Sequence, residues 1–456
     1  MHRPTTRASK LARLTPIAAP LLRTPLCSQC LYQQFPSHVV SLYYHPARRR
    51  TQSGLAAAVS AAKSYFNAPE QQNSPIPVDP LKIVAKELKF LTKNIRSLLG
   101  SGHPMLDTVA KYYTQSEGKY VRPMLVLLMS RATACIPTTT ASYSPPPQET
   151  INAPISPAKV LADNNPSQDP EPFGPLTSPS TPDDTSDPSI LPSQRRLAEI
   201  TELIHTASLL HDDVIDHSLS RRSSPSANIA FGNKMAVLAG DFLLGRASVA
   251  LARLRDPQVI ELLATVIANL VEGEFMQLKN TAHDEKCPEW SPDTMEYYLQ
   301  KTYLKSASLI SKSCRAAALL GPARDTPEAV EAAYVYGKNI GLAFQLVDDM
   351  LDYTISGAEL GKPAGADLEL GLATAPLLFA WEEERELGKL VGRKFAGKGD
   401  VQKAREIVLA SRGLEQTRAL AQAYVDRAIG ALSIFPESEA KQGLVDMCEK
   451  VMKRRK

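Results

Sequence analysis

Acidic residues are absent from the first 69 positions of this 456-residue sequence, where nine lysines and arginines lie. The segment lacks the compact apolar core and small-residue cleavage site of a secretory signal, so its composition predicts a mitochondrial transit peptide. We therefore interpret residues 1–69 as transit peptide and linker, with a merely disordered basic tail as the alternative. The remaining residues are slightly acidic, which argues against a nucleic-acid-binding protein.

Cysteine is scarce, with six in the whole chain. Cys27 and Cys30 form a CxxC in the first segment, and no second pair follows at zinc-ligand spacing, so a zinc site there is not expected. The other cysteines are expected to be reduced thiols; they are Cys135, Cys287, Cys314 and Cys448. A long apolar run is also lacking, and none approaches the length that would span a bilayer.

Proline is unevenly distributed, because Ile136 to Pro192 hold 14 of the 35 prolines together with many Ser, Thr and Asp residues. Proline removes a backbone donor and blocks helix formation, and so polar a segment buries too little apolar surface to offset the entropy lost on ordering. The sequence therefore predicts a disordered insertion at residues 136–192.

Two-residue alternation of apolar and polar side chains is missing from the rest of the chain, where apolar residues recur at intervals of three and four. This pattern predicts an all-α fold on both sides of the insertion. The predicted helices include Pro80–Leu99, Met105–Cys135, Ser193–Asp216, Met235–Arg253, Pro257–Lys279, Pro292–Leu319 and Pro327–Asp352.

The stretch LLHDDVID places three carboxylates at the end of an apolar helical segment. Asp212 and Asp216 are four residues apart, so on a helix they share one face, with Asp213 beside them. Like charges at this spacing destabilise a helix, which indicates that a positive partner comes from elsewhere. One such cluster alone is more often a solvated acidic helix end.

The arrangement recurs in FQLVDDMLDYT, where Asp348 and Asp352 share a face and Asp349 lies beside them. Two acidic clusters on apolar helices indicate facing walls of one cavity. Magnesium suits such walls, because it takes a few carboxylates and completes its octahedron with water and substrate phosphate oxygens. The sequence therefore predicts Mg²⁺ and a phosphorylated substrate.

Basic residues follow and precede these clusters. They are Lys119 and Arg122 in GKYVRP, Arg221 and Arg222 in HSLSRR, Lys301 beside Thr302, and Lys362. Each one alone is an ordinary surface charge. Together with the acidic clusters they indicate a divided diphosphate site, in which metal and Arg hold one diphosphate and Lys and Arg hold another.

The motifs GKYVRP, ELIHTASLLHDDVIDHSLSRR, GNKMAVLAGDFLL, GEFMQL, KTYLKSASL and GLAFQLVDDMLDYT, with GKPAGADL after it, resemble the trans-prenyltransferases, the polyprenyl diphosphate synthase family. The resemblance covers the chain from about residue 80 to its end, apart from the insertion. It implies a single large helical bundle around a central cavity, within residues 70–456. It also implies a usually dimeric, Mg²⁺-dependent enzyme that condenses isopentenyl diphosphate onto an allylic diphosphate, such as farnesyl or geranylgeranyl diphosphate.

The resemblance further implies roles for individual residues. The ligands of Mg²⁺ would be Asp212, Asp216 and Asp348, supported by Asp213, Asp349 and Asp352. The contacts of the allylic diphosphate would be Arg221, Lys301 and Lys362, and those of isopentenyl diphosphate would be Lys119, Arg122, His205 and Arg222. The catalytic residues would be Lys301, Thr302 and Gln345, the last two as dipoles that stabilise a carbocation.

The residues one turn before Asp212 bear on product length, since side chains there project into the path of the growing chain. Short-chain members of the family have aromatic residues at this place, whereas this sequence has Ala207 and Ser208. The small side chains predict a long all-trans product, the precursor of a ubiquinone side chain. The alternative is that Ala207 and Ser208 are small only because α-helices pack closely there.

Other readings stay open at this stage. Terpene cyclases and head-to-head squalene-type synthases also pair acidic clusters, but they do not need GKYVRP and the paired arginines. The chain is alternatively a non-catalytic partner subunit of a heteromeric synthase, or a shorter-chain geranylgeranyl synthase. We expect a homodimer or heteromer in the mitochondrial matrix, with peripheral association with the inner membrane as a further expectation.

Overall fold

The computed structural model describes residues 79–99, 101, 103–115, 120–137, 187–221, 224–278, 288–354 and 365–454. Helices make up most of these residues, and the predicted all-α fold is confirmed. A short antiparallel pair of strands, β1 (Ser220–Arg221) and β2 (Ser224–Pro225), is the sheet structure of the described residues. The predicted transit peptide, residues 1–69, lies outside them.

The helices begin and end as follows: α1 (Pro80–Ile83), α2 (Ala85–Leu98), α3 (Pro104–Gln115), α4 (Val121–Ala134), α5 (Pro192–Ile215), α6 (Ala227–Phe231), α7 (Asn233–Arg253), α8 (Pro257–Leu278), α9 (Pro292–Thr302), α10 (Ser308–Leu319), α11 (Pro327–Thr354), α12 (Ala366–Glu369), α13 (Ala375–Glu383), α14 (Glu386–Gly392), α15 (Asp400–Ala410), α16 (Gly413–Ala431) and α17 (Glu439–Met452). Single 3₁₀ turns occur at Pro322–Asp325 and Leu432–Ile434.

Several helices begin at a proline, as α1, α5 and α9 do. Proline suits the first turn, because its missing N–H would have no partner there and its φ is already helical. The predicted segment Pro292–Leu319 is helical throughout, but a π turn at Tyr303–Ala307 lies between its two α-helical parts, α9 and α10. A π turn is rare and is often found at functional sites.

Helices α10 and α11 approach closely through two glycines of α11. A Cβ atom on Gly337 would lie 2.7 Å from the Cα of Ser311, and one on Gly341 would lie 2.7 Å from the Cα of Ala307. No larger residue fits at either position without moving a backbone. Because rising numbers on α11 meet falling numbers on α10, the two helices are antiparallel.

The edges of the predicted insertion are packed. Ile190 is only 2% exposed, and Asp187 forms an ion pair with Arg131 of α4 at 3.0 Å. The Asp187 N–H also donates to Glu87 at 2.9 Å. The bounds predicted from composition, 136–192, therefore include at least Asp187 to Pro192, which belong to the bundle; residues 138–186 lie outside the described ones.

From the sequence we expect no apolar run long enough to span a bilayer, whereas helix α7 is long and apolar enough by length and composition. Among the described helices it is the one long and apolar enough to cross a bilayer. Length and composition alone are weak evidence, since core helices of soluble proteins also meet this criterion. Cys135, Cys314 and Cys448 are free thiols, as predicted.

Candidate active site

The two acidic clusters lie at the same end of the bundle, because α5 and α11 run in the same direction. Thr201 Oγ1 lies 3.0 Å from Ser313 Oγ, and Gln194 Nε2 donates to the Ala317 carbonyl at 2.8 Å. Successive residues along α5 thus contact residues of decreasing number along α10, so α5 is antiparallel to α10, as α11 is. Both carboxyl ends therefore point toward the start of α10 and the π turn that precedes it.

Asp213, the middle residue of the first cluster, is fully buried and held by protein donors. The hydroxyl of Tyr113 on α3 donates to Oδ2. Arg221 approaches Oδ1 with Nε at 2.8 Å and Nη2 at 2.6 Å. Arg221, predicted to contact a diphosphate, is therefore paired with a carboxylate in this structure.

Asp212 and Asp216, the outer residues of the first cluster, are half-buried at the end of α5. Burial raises the pKa of Asp212 to about 6, and the carboxylates of Glu274 and Asp216 add to the rise. Burial also raises the pKa of Asp216. The nearby Lys305 ammonium opposes both shifts. The two carboxylates thus form a site whose electrostatics favour a cation.

Asp349, the middle residue of the second cluster, is 3% exposed. The hydroxyl of Tyr298 on α9 donates to its Oδ2 at 2.5 Å, and Gln345 Nε2 donates to its Oδ1 at 2.9 Å. Burial raises the pKa of Asp349 to about 6, although both hydrogen bonds act in the opposite direction. The middle aspartate is therefore held by the protein in the second cluster as in the first.

The outer residues of the second cluster have partners from later in the chain. Asp352 accepts the backbone N–H groups of Ala366 and Asp367, each at 3.2 Å, and so binds the first turn of α12. Asp348 accepts a hydrogen bond from Arg454 Nη1 at 2.6 Å. The C-terminal end of the described chain therefore reaches this cluster.

Two lysines, one turn apart, stand near the clusters. Lys301, predicted from the sequence, is buried with its Nζ 5.4 Å from the centre of the Tyr298 ring. Burial lowers the pKa of Lys301, and the carboxylates of Asp349 and Asp367 oppose the shift. Lys305, which the sequence analysis did not assign, lies in the π turn and pairs with Glu274 at 2.6 Å.

The hydroxyl groups next to these lysines differ in their partners. Thr302 Oγ1 donates to the Tyr298 carbonyl in its own helix at 2.7 Å. Ser306 Oγ donates across to Gln345 Oε1 at 2.8 Å. The motif KTYLKSASL contains two Lys-hydroxyl pairs four residues apart, and only the second pair was overlooked. This repeated Lys-hydroxyl pair is the sequence signal that could have indicated Lys305 and Ser306 as candidates.

The residues predicted for isopentenyl diphosphate are described in part. Arg122 lies in the first turn of α4, and its Nη1 is 2.9 Å from His205 Nε2 on α5. Because a guanidinium only donates, Nε2 of His205 is the acceptor. Lys119 and Arg222 lie outside the described residues, as does Lys362.

The two residues predicted to set product length differ in burial. Ala207 is fully buried, whereas Ser208 is half-buried and donates from Oγ to the His205 carbonyl at 2.9 Å. Ser208 and Asp212 share one face of α5, since they are four residues apart. Ser208 is thus the small residue of the pair that remains accessible below the acidic cluster.

Among the residues that the structure describes, no three acidic, His or Cys side chains group closely enough to form a metal site alone. A Mg²⁺ site requires fewer protein ligands, because one or two carboxylates together with substrate phosphates commonly hold the ion. Asp212 and Asp216 fit this role, since both are half-buried and burial raises the pKa of each carboxyl. A bound divalent cation would relieve the repulsion between these two carboxylates.

Comparison with known proteins identifies close relatives. A sequence profile described as polyprenyl synthetase matches residues 180–408. The probable hexaprenyl pyrophosphate synthase, mitochondrial, of Neurospora crassa is 65% identical over 421 residues, which are 91% of this chain and 91% of that protein. Decaprenyl-diphosphate synthase subunit 1 of Schizosaccharomyces pombe is 47% identical over 374 residues, 82% of this chain and 91% of that protein.

A solved structure shares the architecture. The polyprenyl synthase from Caulobacter crescentus, complexed with calcium and isoprenyl diphosphate, superposes with a TM-score of 0.65 and 28% sequence identity. The match covers 85% of this chain and 100% of that chain.

Proposed function

This chain belongs to the polyprenyl synthetase family, and from that membership we propose that it is a long-chain trans-polyprenyl diphosphate synthase. It condenses isopentenyl diphosphate repeatedly onto farnesyl or geranylgeranyl diphosphate, and the product is the precursor of the ubiquinone side chain. The observation that carries the proposal is the placement of two acidic clusters at one end of the bundle, with the Lys305 ammonium near the first.

The outer carboxylates, Asp212, Asp216 and Asp348, would hold Mg²⁺ together with the allylic diphosphate. The ion, when bound, withdraws charge from the leaving diphosphate as a Lewis acid. The apolar helices exclude water from the allylic cation that forms when the carbon–oxygen bond breaks. The double bond of isopentenyl diphosphate then attacks this cation, and the released diphosphate accepts the proton that is lost.

We assign the cation beside the allylic diphosphate to Lys305, because its charge acts on both Asp212 and Asp216. Ser306 and Gln345 supply the dipole for the carbocation, since they are hydrogen-bonded to each other. Lys305→Gln should reduce kcat/KM by about 100-fold or more, as expected for a group that stabilises charge in the transition state. Lys301→Gln serves as the matched control, and an equal or larger loss there would return the role to Lys301 and Thr302.

The second substrate binds on the other side of the cavity. Arg122 and His205, with Lys119 and Arg222, would hold the diphosphate of isopentenyl diphosphate. Arg122→Gln should raise KM for isopentenyl diphosphate and leave KM for the allylic substrate unchanged, because each cation serves one diphosphate. Equal increases in the two KM values would contradict a divided site.

One assay separates the proposal from its alternatives. The purified chain is incubated with Mg²⁺, farnesyl diphosphate and labelled isopentenyl diphosphate, and product length is read by chromatography. Long prenyl chains made by this chain alone support the proposal. A product of geranylgeranyl length would identify a shorter-chain synthase. Activity only after addition of a second protein would identify a partner subunit, as the name of the Schizosaccharomyces pombe relative indicates for that protein.

An exposed apolar face supports self-association as a dimer. Leu238 on α7 is 57% exposed and Phe275 on α8 is 63% exposed, and Val237 and Val271 are exposed on the same helices. Apolar surface of this kind commonly marks an interface. Leu238→Glu should shift the mass in solution to that of a monomer, measured by light scattering. Leu409→Glu, at an exposed leucine of α15, is the matched control.

The mitochondrial matrix is the proposed location, with peripheral association with the inner membrane. Residues 1–69 have the composition of a transit peptide, and the Neurospora crassa relative carries the word mitochondrial in its name. The mature chain should begin between Arg48 and Glu70. Mass spectrometry of the protein from its own cells tests this, and a mature chain that retains Met1 or His2 would contradict it.

A further inference from the structure

Each acidic cluster has a tyrosine on another helix whose hydroxyl donates to the middle aspartate. Tyr113 donates to Asp213 Oδ2, and Tyr298 donates to Asp349 Oδ2. The tyrosines lie on α3 and α9, in unrelated stretches of sequence. The same contact has thus been built twice, once at the end of each helix that carries carboxylates.

The other oxygen of each middle carboxylate is also used by the protein. Arg221 occupies Asp213 Oδ1, and Gln345 occupies Asp349 Oδ1. Both aspartates are almost completely buried, and buried carboxylates require such partners. The middle residues therefore face the protein, whereas Asp212 and Asp216 are only half-buried.

The phenols are fixed as hydrogen-bond donors. Both tyrosines are buried, and each hydroxyl lies against a carboxylate oxygen, which accepts its hydrogen bond. The Ala227 N–H donates to the Tyr113 oxygen at 2.8 Å, which directs the phenolic hydrogen toward Asp213. A chain of donors therefore runs from the start of α6 through Tyr113 to the first cluster.

We propose that Tyr113 and Tyr298 are positioning residues for the two metal-binding faces, an inference that rests on the proposed function. Adjacent side chains on a helix project about 100° apart, so holding the middle aspartate against its buried tyrosine fixes the rotation of the last turn. That rotation aims the outer carboxylates at a divalent cation with its diphosphate. Partners behind metal ligands typically change metal affinity by about 10- to 100-fold when they are removed.

The test measures metal binding without turnover. Mn²⁺ is titrated into the full-length protein in the presence of an unreactive allylic thiodiphosphate, and free Mn²⁺ is followed by electron paramagnetic resonance. Tyr113→Phe and Tyr298→Phe should each weaken Mn²⁺ binding by about 10-fold or more. In turnover assays, KM for the allylic substrate should rise and KM for isopentenyl diphosphate should not change.

Tyr336→Phe is the matched control, because Tyr336 is fully buried and donates to the Leu444 carbonyl at 2.9 Å, away from both clusters. It should lower thermal stability and leave Mn²⁺ binding unchanged. Wild-type Mn²⁺ affinity in Tyr113→Phe and Tyr298→Phe, or equal weakening in Tyr336→Phe, would overturn the positioning role while the proposed function stood. A wild-type protein that neither binds Mn²⁺ nor forms product would overturn the proposed function and this inference together.

Discussion

Arg454, two residues beyond the end of α17, donates to Asp348 Oδ1 at 2.6 Å, and its guanidinium lies 4.2 Å from the centre of the Phe344 ring. Asp348 is the outer carboxylate that the sequence analysis assigned to Mg²⁺. A side-chain cation from the C-terminal end of the chain thus contacts the oxygen that a divalent ion would use.

Removal of this arginine should therefore strengthen metal binding at Asp348. Partly exposed ion pairs contribute about 1 kcal/mol or less, so Arg454→Gln should tighten Mn²⁺ binding by about five-fold at most. The adjacent Lys453 pairs with Glu449 and provides the matched control, Lys453→Gln. Weaker Mn²⁺ binding in Arg454→Gln would show that the arginine supports the bound metal instead of competing with it.

Loss of an outer carboxylate should abolish condensation without unfolding the protein. Asp212→Ala and Asp348→Ala each remove a proposed ligand, and excess chelator should inactivate the wild type in the same way. Circular dichroism should still show a helical protein, because neither side chain is in the apolar core. Near-normal product formation by either purified variant would refute the role of metal in the site.

The metal-free protein should become less stable as the pH rises through about 6. Burial raises the pKa of Asp212 and of Asp349 from 3.8 to about 6, so the folded protein binds these protons more tightly than the unfolded chain does. Their contribution to the free energy of unfolding is fully present below pH 3.8 and is lost as pH rises through about 6. Thermal unfolding in chelator measures this, and Asp212→Asn should flatten the pH dependence; curves parallel to the wild type would contradict it.

A large side chain at Ser208 should shorten the product. Ser208→Phe places a ring below Asp212 while condensation continues, whereas Ser208→Ala should leave chain length unchanged. Ala207→Phe should also shorten the product, but it adds volume at a fully buried position, which typically costs about 1–3 kcal/mol. Product length is measured by chromatography, and unchanged chain length in Ser208→Phe would show that Ser208 does not border the path of the growing chain.

The insertion should be dispensable up to its packed edge. Removing residues 138–186 and joining the ends by a flexible linker should preserve activity, because composition predicts disorder there. Extending the deletion to Leu191 also removes Ile190, and loss of a buried Ile side chain costs about 2–5 kcal/mol. Melting temperature and activity of the two deletions test this, and an unfolded shorter deletion would show that residues 138–186 pack.

The sequence was sufficient for the features that depend on local spacing. The intervals between apolar residues predicted most of the helices, although the predicted helix Met105–Cys135 is two helices, α3 and α4. The four-residue spacing of Asp212 and Asp216 predicted a shared face at the end of α5. Helical periodicity is repeated every few residues, so a single chain shows it clearly. The paired clusters and the order of the motifs then indicated the family.

The features that escaped prediction depend on contacts between distant residues. Tyr113 and Asp213 are 100 residues apart, and Arg454 and Asp348 are 106 apart, so no local pattern joins them. The π turn was missed for another reason, because one additional residue scarcely disturbs the apolar spacing of Pro292–Leu319. Lys305, which we propose in place of Lys301, lies in that turn.

The π turn at Tyr303–Ala307 also limits how this part of the chain can evolve. A π turn corresponds to one residue inserted into an α-helix, so deleting a residue there would give a single regular helix with better local geometry. The same deletion would rotate the flanking segments by about 100° relative to each other, and Tyr298 and Lys305 would no longer face the two clusters together. Selection for a more regular helix and selection for a working site therefore act in opposite directions on the length of this segment.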